Sequence, residues 1–182
     1  MKTTHHSEYL KLQSVFVKTV KNGFISQDKL NKQWQALNYL EKPSFDNAIL
    51  EYGAFLELFQ HSDIELKYFP QDNSVKIDSI YCRDASIATD FGMIICNMGK
   101  SGRVNEPDTQ MQTYVNEVIP ILGIIEAPGT LEGGDVAWLD EKTLAVGHTY
   151  RTNVEGIKQL KNMLEPKGVE VLVVELPHYK GA

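Results

Sequence analysis

The sequence has 182 residues, of which 42% are hydrophobic and 23% are charged, so it can bury a core and fits one domain. Its formal net charge is -6, with acidic and basic residues scattered rather than grouped in blocks. This pattern excludes the basic surface of a nucleic-acid-binding protein and a polybasic membrane-binding patch. We therefore expect neither a nucleic-acid nor a membrane partner.

The N-terminal segment and the cysteines indicate the compartment. The first residues, MKTTHHSEYLKLQ, contain no apolar run, and no segment of the sequence approaches the length of a membrane span, so a cytoplasmic protein is expected. Cys82 and Cys96 each lie in an apolar stretch, which favours reduced, buried thiols over a disulfide. The histidines show no ligand spacing with cysteines or carboxylates, so no metal and no cofactor are expected.

The first half of the chain predicts a mixture of strands and helices. Residues 13–20 and 64–69 have the composition or alternation of strands. Ser26 is a helix-capping residue type, and the pattern that follows predicts a helix through Leu40. A second helix is predicted over residues 44–59, where apolar side chains share one face: Ala48, Tyr52, Phe55 and Phe59.

The second half contains an internal repeat with a shift of 48 residues. Four pairs coincide in the same order: Asp84 with Glu132, Gly99 with Gly147, Arg103 with Arg151, and Asn105 with Asn153. Each copy predicts two strands, a loop carrying the arginine, a helix capped by the asparagine, and a third strand. Repeats of about 50 residues occur in solenoids and propellers. Copies arranged around an axis would direct their equivalent loops toward one centre.

The acids and arginines of this repeat predict a site for a guanidino acid. The carboxylates of Asp84 and Glu132 can accept hydrogen bonds from the planar edge of a guanidinium group. Arg103 and Arg151 can clamp a carboxylate in the same bidentate way. Acids at one end of a cavity and arginines at the other are complementary to arginine or an arginine derivative. Taken alone, the two glycines after Glu132 are most simply a turn, and Asp135 is equally a turn residue.

These residues resemble the guanidino-group-modifying enzymes, or pentein superfamily, which includes dimethylarginine dimethylaminohydrolase, arginine deiminase and the amidinotransferases. The resemblance lies in DSIYCRD at residues 78–84, in LEGGDV at residues 131–136, and in the segments GRVN and YRTN. It extends over nearly the whole chain. The implied fold is an α/β propeller of five ββαβ-like repeats. About three repeats would be present, so that residues 1–182 would form a single domain truncated at its C-terminus.

The resemblance also implies roles for individual residues. The implied substrate-binding residues are Asp78, Tyr81, Asp84, Arg103 and Arg151. Glu132 is the implied catalytic residue; together with Asp84 it would hold the substrate guanidinium, close to the family's histidine. The two arginines would bind the α-carboxylate, and the residues at positions 78 and 81 would line the pocket.

The sequence departs from the family where the nucleophile is expected. The family's nucleophilic cysteine and general-base histidine lie in segments that would begin near Ala182. Cys82 and Cys96 do not occupy the nucleophile's position, and His178 precedes the position of the histidine. In the complete protein, the implied reaction is attack of a thiolate on the guanidinium carbon. The histidine protonates the leaving amine, and water then hydrolyses the thiouronium intermediate to citrulline.

Two alternatives to a dimethylargininase-like hydrolase stay open. An arginine deiminase or an amidinotransferase would use the same site chemistry, but the 48-residue shift leaves no room for the helical insertion typical of arginine deiminases. A non-catalytic pentein binding protein would not need paired acids and arginines. The expected partner is a small guanidino substrate. A homo-oligomer is a further candidate assembly, because a ring that lacks repeats exposes strand edges with which a second copy can associate.

Overall fold

Contacts between residues divide the chain into two units in the computed structural model, which describes residues 6–177. Unit 1 comprises the described residues up to Leu10 and those from Arg83 onward, and unit 2 comprises Lys11–Cys82. Over the described range, every helix is too short or too polar to cross a bilayer. The sequence-based expectation for His178 falls on a residue outside that range.

Unit 2 joins two parallel strands through helices. Strand β1 (Ser14–Val17) pairs with β2 (Glu65–Tyr68) in parallel, with Ser14 opposite Glu65. A parallel pair needs a crossover connection, which the helices between the two strands supply. These helices are α1 (Val20–Gly23), α2 (Gln27–Gln33) and α3 (Phe45–Gln60).

The predicted helix after Ser26 is present but short. The Ser26 hydroxyl accepts a hydrogen bond from the N–H of Lys29 at 3.2 Å, so the predicted N-cap is confirmed. Helix α2 ends at Gln33 rather than at the predicted Leu40. Asn38 has a left-handed φ of 64°, a conformation through which a right-handed helix does not continue.

Helix α3 confirms the helix predicted over residues 44–59, but the predicted apolar face is packed only in part, because Phe55 is exposed. Ser44 is its N-cap, and Ala48 and Tyr52 pack against the core of unit 2. Phe55 and Phe59 form an edge-to-face pair with ring centroids 5.2 Å apart. The fully buried members of this core are Val20, Phe24, Leu30, Leu37 and Ile77.

Alkaline pH is expected to destabilise unit 2 through Tyr52. Burial, followed by the electrostatic effect of nearby Cys82, raises the pKa of Tyr52 from 10.0 to about 12. Because the folded pKa lies above the unfolded value, the stabilising effect is complete below pH 10 and is lost as the pH rises toward 12. We expect wild type to lose about 1 kcal/mol more than Tyr52→Phe on raising the pH to about 11. Urea denaturation across this pH range measures the difference.

The matched control for this prediction is Tyr150→Phe, because Tyr150 is an exposed tyrosine of unit 1. This variant should keep the alkaline loss of the wild type. Equal pH dependence of Tyr52→Phe and wild type would contradict the prediction.

Unit 1 contains the two copies of the predicted repeat. The first copy consists of β3 (Ser86–Thr89), β4 (Gly92–Ile95), α4 (Glu106–Asn116) and β5 (Ile121–Ile124). The second consists of β6 (Val136–Trp138), β7 (Thr143–His148), α5 (Val154–Leu164) and β8 (Glu170–Glu175). In both copies the first two strands are antiparallel and the third is parallel to the second. The predicted order of elements and the α/β class are therefore confirmed.

The helix that follows each arginine begins at the predicted asparagine. Asn153 caps α5, because its side-chain oxygen accepts the N–H of Gly156 at 2.8 Å. Asn105 occupies the same N-cap position before α4, but its side chain makes no capping hydrogen bond, so the predicted cap is wrong for this copy. Pro107 lies in the first turn of α4, where its missing N–H costs no helical hydrogen bond. The apolar face of α5 is buried: Ile157, Leu160 and Leu164.

Both copies contribute to one hydrophobic core. Ile87 and Ile94 of the first copy belong to the same cluster as Leu144, Val146 and Leu160 of the second. Since the strands of both copies are anchored in this cluster, the segments that precede and follow them are held at fixed positions. The two acids and the two arginines lie in those segments.

Candidate functional site

The two predicted acids occupy equivalent places in the fold. Asp84 lies in a 3-10 helix, Cys82–Ala85, that ends where β3 begins. Glu132 precedes a 3-10 helix, Gly133–Asp135, that ends where β6 begins. Each acid is therefore presented by a tight turn at the start of its copy's first strand.

The two glycines after Glu132 allow the second acidic turn to pack directly on the first. A Cβ atom added to Gly133 would lie 2.8 Å from the Ser86 carbonyl oxygen and closer still to that of Arg83. One added to Gly134 would collide with the Oδ1 atom of Asp84. The pair is thus a turn, as its composition indicates, but a turn whose lack of side chains brings the two acids together.

Gly134→Ala is expected to displace the Asp84 carboxylate. Overpacking of a close contact commonly lowers the free energy of unfolding by about 1–3 kcal/mol, and we expect a loss in this range. Urea denaturation measures it. Gly53→Ala is the control, because an added Cβ at Gly53 in α3 has nothing within 4 Å, and alanine favours a helix over glycine. A Gly134→Ala protein as stable as wild type would contradict the packing described here.

Arg103 is buried between two carboxylates. Its Nε and Nη2 atoms donate to the two carboxylate oxygens of Glu106 at 2.9 and 2.7 Å, and its Nη1 atom donates to Asp84 Oδ2. Burial alone lowers the pKa of Arg103, but the hydrogen bonds and charges of Glu106 and Asp84 more than offset this and raise it. Arg103 is therefore a permanently charged anchor for Asp84.

Glu106 is not among the residues predicted from the sequence. It is buried in the first turn of α4 and forms the two-pronged pair with Arg103. The available signal was the three-residue spacing between an arginine and a glutamate at a helix start, which brings the side chains onto one face. In the second copy the equivalent of Glu106 is Val154, which is exposed. The two arginines therefore have different surroundings.

Arg151 pairs with Glu132 but remains partly open to solvent. Its Nη1 atom donates to the Oε1 and Oε2 atoms of Glu132 at 3.3 and 3.1 Å. The guanidinium carbon lies 5.0 Å from the centroid of the Tyr150 ring. The Arg151 side chain is 26% exposed, compared with 5% for Arg103. Of the two arginines, Arg151 is the more accessible.

The loops that carry the two arginines contact each other. The N–H of Lys100 donates to Glu132 Oε1 at 3.1 Å, which links the first loop to the second acid. A Cβ added to Gly99 would lie only 2.5 Å from the Arg151 carbonyl oxygen, so glycine is required for this approach. The sequence predicts acids and arginines at opposite ends of a cavity. In the structure, each acid contacts the arginine of its own copy, and the two pairs are neighbours.

Asp78 and Tyr81 lie in unit 2. Asp78 is buried in a 3-10 helix, Ile77–Ile80, and its carbonyl oxygen accepts the N–H of Tyr81 at 2.9 Å. Tyr81 is exposed. Burial, and then the charges of Asp78 and Tyr81, raise the pKa of Tyr39. These two predicted residues therefore belong to one polar cluster with Tyr39, and their pocket-lining role stays a prediction.

Both cysteines are free thiols, as predicted. Cys96 is fully enclosed, and burial, followed by the charges of Glu132 and Asp84, raises the pKa of its thiol. A thiol held protonated in this way is a poor nucleophile. Cys82 is partly buried, with its Sγ atom 3.7 Å from the carbonyl oxygen of Phe16.

Comparison with known proteins identifies relatives whose names describe action on a guanidino compound, the kind of ligand that the charges of the site suit. The family described as "N,N dimethylarginine dimethylhydrolase, eukaryotic" matches residues 19–180. The N(G),N(G)-dimethylarginine dimethylaminohydrolase of Pseudomonas aeruginosa is 30% identical over 139 residues, which cover 76% of this chain and 54% of that protein. The protein of the same name from Streptomyces coelicolor is 30% identical over 156 residues, covering 80% and 57%.

A solved structure matches the fold. It is the Pseudomonas aeruginosa dimethylarginine dimethylaminohydrolase, a cysteine-to-serine variant complexed with citrulline. The TM-score is 0.76 at 26% identity, and the match covers 92% of this chain and 62% of that one. The chain thus spans little more than half the length of the curated relatives it matches. The family match includes the segments that carry both acids and both arginines, and it confirms the resemblance inferred from them. The chain belongs to the N,N dimethylarginine dimethylhydrolase family.

Proposed function

We propose that the whole protein is a hydrolase acting on the guanidinium group of arginine or methylated arginine, with citrulline and an amine as products. The observation that carries this proposal is the duplicated pair of carboxylate and arginine, Asp84 with Arg103 and Glu132 with Arg151. Family membership supports it, as does the relative from Pseudomonas aeruginosa that was solved with citrulline.

The charges of the site suit a ligand that carries both signs. The proposed substrate-binding residues are Asp78, Tyr81, Asp84, Arg103 and Arg151, and Glu132 is the proposed catalytic residue. A guanidino acid brings a cation for the two acids and a carboxylate for the arginines. It can therefore replace protein pairs by ligand pairs without leaving a buried charge unpaired. A ligand with a guanidinium but no carboxylate cannot do so.

Within this site the two arginines contribute differently. Arg103, held by Glu106, mainly fixes the Asp84 carboxylate in the plane of the substrate guanidinium. Arg151, with its more exposed side chain, makes the main contact with the α-carboxylate. Glu132 contacts the loops of both arginines, because its carboxylate accepts hydrogen bonds from Arg151 and from the backbone N–H of Lys100.

The proposed chemical step uses a nucleophile other than Cys82 and Cys96. We propose a thiolate elsewhere in the complete protein that attacks the guanidinium carbon and forms a thiouronium. A histidine protonates the departing amine, then removes a proton from water. The hydroxide adds to the same carbon and expels the thiolate, which leaves the ureido group of citrulline. Asp84 and Glu132 stabilise the cationic carbon centre while the histidine transfers protons.

We also propose the larger architecture implied by the resemblance. The two ββαβ copies of unit 1 support an α/β propeller of five repeats, about three of them in residues 1–182 as part of one domain. Strand β8 lies at the edge of its sheet. The strand and the residue that follows it expose apolar side chains, namely Leu172, Val173, Val174 and Leu176. Further repeats, or a second copy of the protein, would cover this strand.

The proposed function is tested by incubating the complete protein separately with arginine, with dimethylated arginine and with agmatine, and measuring ureido product and released amine. Citrulline and dimethylamine from the methylated substrate support the proposal. Citrulline from arginine alone supports the deiminase alternative, and transfer of the amidino group to an added amine supports an amidinotransferase. Saturable binding without turnover supports a binding protein. If the protein neither converts nor binds any of these compounds, the proposed guanidino site is refuted.

A further inference from the structure

We infer that Asp135 is a positioning residue of the site: its carboxylate holds the loop that carries Arg151 in place against Glu132. This inference rests on the proposed function, because it assigns a role at the carboxylate end of the same site. The sequence alone leaves Asp135 as a turn residue.

One oxygen of Asp135 accepts two hydrogen bonds from the arginine loop. The Thr149 hydroxyl donates to Asp135 Oδ2 at 2.9 Å, and the Thr152 hydroxyl donates to the same atom at 2.6 Å. Thr152 is fully buried. A carboxylate oxygen has the lone pairs and the charge to accept both bonds, and such charge-assisted bonds are stronger than neutral ones.

The Thr149 and Thr152 hydroxyls also accept hydrogen bonds from the backbone of two site residues, Arg151 and Glu132. The N–H of Glu132 donates to the Thr152 hydroxyl at 3.1 Å. The N–H of Arg151 donates to the Thr149 hydroxyl at 2.9 Å. Since each hydroxyl oxygen accepts a backbone N–H, its single proton is directed at Asp135. The carboxylate thereby links the backbone of Glu132 to the backbone of Arg151.

The first copy of the repeat holds its arginine in another way. At the positions equivalent to Asp135, Thr149 and Thr152 it has Ile87, Ser101 and Val104. There the guanidinium itself is fixed by Glu106, whose equivalent in the second copy is Val154. Fixing the backbone of Arg151 instead leaves its guanidinium accessible, which suits an arginine that must bind a ligand.

Two pairs of variants test the inference on the complete protein. Asp135→Ala removes the acceptor, and Asp140→Ala is its control, because Asp140 accepts the Lys142 N–H and the Thr143 hydroxyl in an exposed turn of the same unit. Thr152→Val removes one hydroxyl at nearly constant volume, and Thr152→Ser restores it. The threonine pair decides the question if Asp135→Ala does not fold.

The first readout is kinetic and compares ligands with and without a carboxylate. We expect Asp135→Ala and Thr152→Val to raise the KM for the carboxylate-bearing substrate about tenfold or more. The inhibition constant of agmatine should rise by a smaller factor than this KM, because agmatine has no carboxylate for Arg151 to bind and is affected only through Glu132. Thr152→Ser and Asp140→Ala should behave like wild type. Equal effects on both ligands, or no effect on either, would overturn the inference.

The second readout needs no ligand, so it separates this inference from the proposed function. Hydrogen exchange of the backbone amides at Glu132 and Arg151 should accelerate about tenfold or more in Asp135→Ala and Thr152→Val, with α5 unchanged. Unchanged exchange at both amides would overturn the inference even in an active enzyme. A wild-type protein that neither converts nor binds guanidino compounds would instead refute the proposed function, while the exchange result would still decide the role of Asp135.

Discussion

Replacing Arg103 by alanine is expected to lower the free energy of unfolding by about 3–5 kcal/mol, because breaking a buried ion pair leaves an uncompensated buried charge. Glu106 and Asp84 would lose the guanidinium that holds them, and Glu106 is almost completely buried. Urea denaturation of wild type and variant measures the loss.

The conservative variant Arg103→Lys should recover only part of this stability. An ammonium group cannot present the planar fork that bonds both oxygens of Glu106 and also reaches Asp84. Lys158→Ala is the control, because Lys158 pairs with Glu155 on the surface at 3.7 Å and its removal should change stability by less than about 0.5 kcal/mol. A loss for Arg103→Ala as small as that of the control would contradict the role of Arg103 as a buried anchor.

Replacing Glu132 by glutamine should lower kcat/KM for citrulline formation by about 100-fold. A neutral amide cannot form a charge-assisted pair with the substrate guanidinium, and such hydrogen bonds contribute about 1.5–3 kcal/mol each. In the variant, Arg151 also loses its carboxylate partner. Steady-state kinetics of the complete protein with dimethylated arginine provide the measurement.

Glu126→Gln is the matched control for this second prediction, because Glu126 is an exposed acid of the same unit. It should retain wild-type kinetics. The melting temperature of both variants should be recorded, so that lost activity is not confused with unfolding. Wild-type kcat/KM in a folded Glu132→Gln protein would rule out the proposed catalytic role.

The second half of the fold could be predicted from the sequence because it is built twice. The repeat shows which loop precedes each helix. In α5 the apolar residues recur every three or four positions, as the buried face of a helix requires, and Asn153 is a helix-capping residue type directly before them. In the first half, the end of α2 at Gln33 was not predictable. The left-handed turn at Asn38 follows from the way the chain packs, which local composition does not reveal.

The site was predictable at the level of residues but not of contacts. Duplication identifies Asp84, Glu132, Arg103 and Arg151, because chance rarely preserves the same spacing of charges together with the order of elements. Their pairing within each copy depends on the close approach of two glycine-containing loops and could not be read from spacing. Asp135 was missed because an aspartate after two glycines also suits an ordinary turn. Its contacts to two hydroxyls arise only when β7 and α5 bring the loop between them onto the acidic turn.

The most direct test of the central claim is a crystal structure of the complete protein with citrulline bound. We predict that the ureido group contacts Asp84 and Glu132 and that the α-carboxylate contacts Arg151, which moves away from Glu132 to receive it. Citrulline bound elsewhere, with the pairs Asp84–Arg103 and Glu132–Arg151 unchanged, would contradict the claim that these duplicated pairs form the binding site for a guanidino acid.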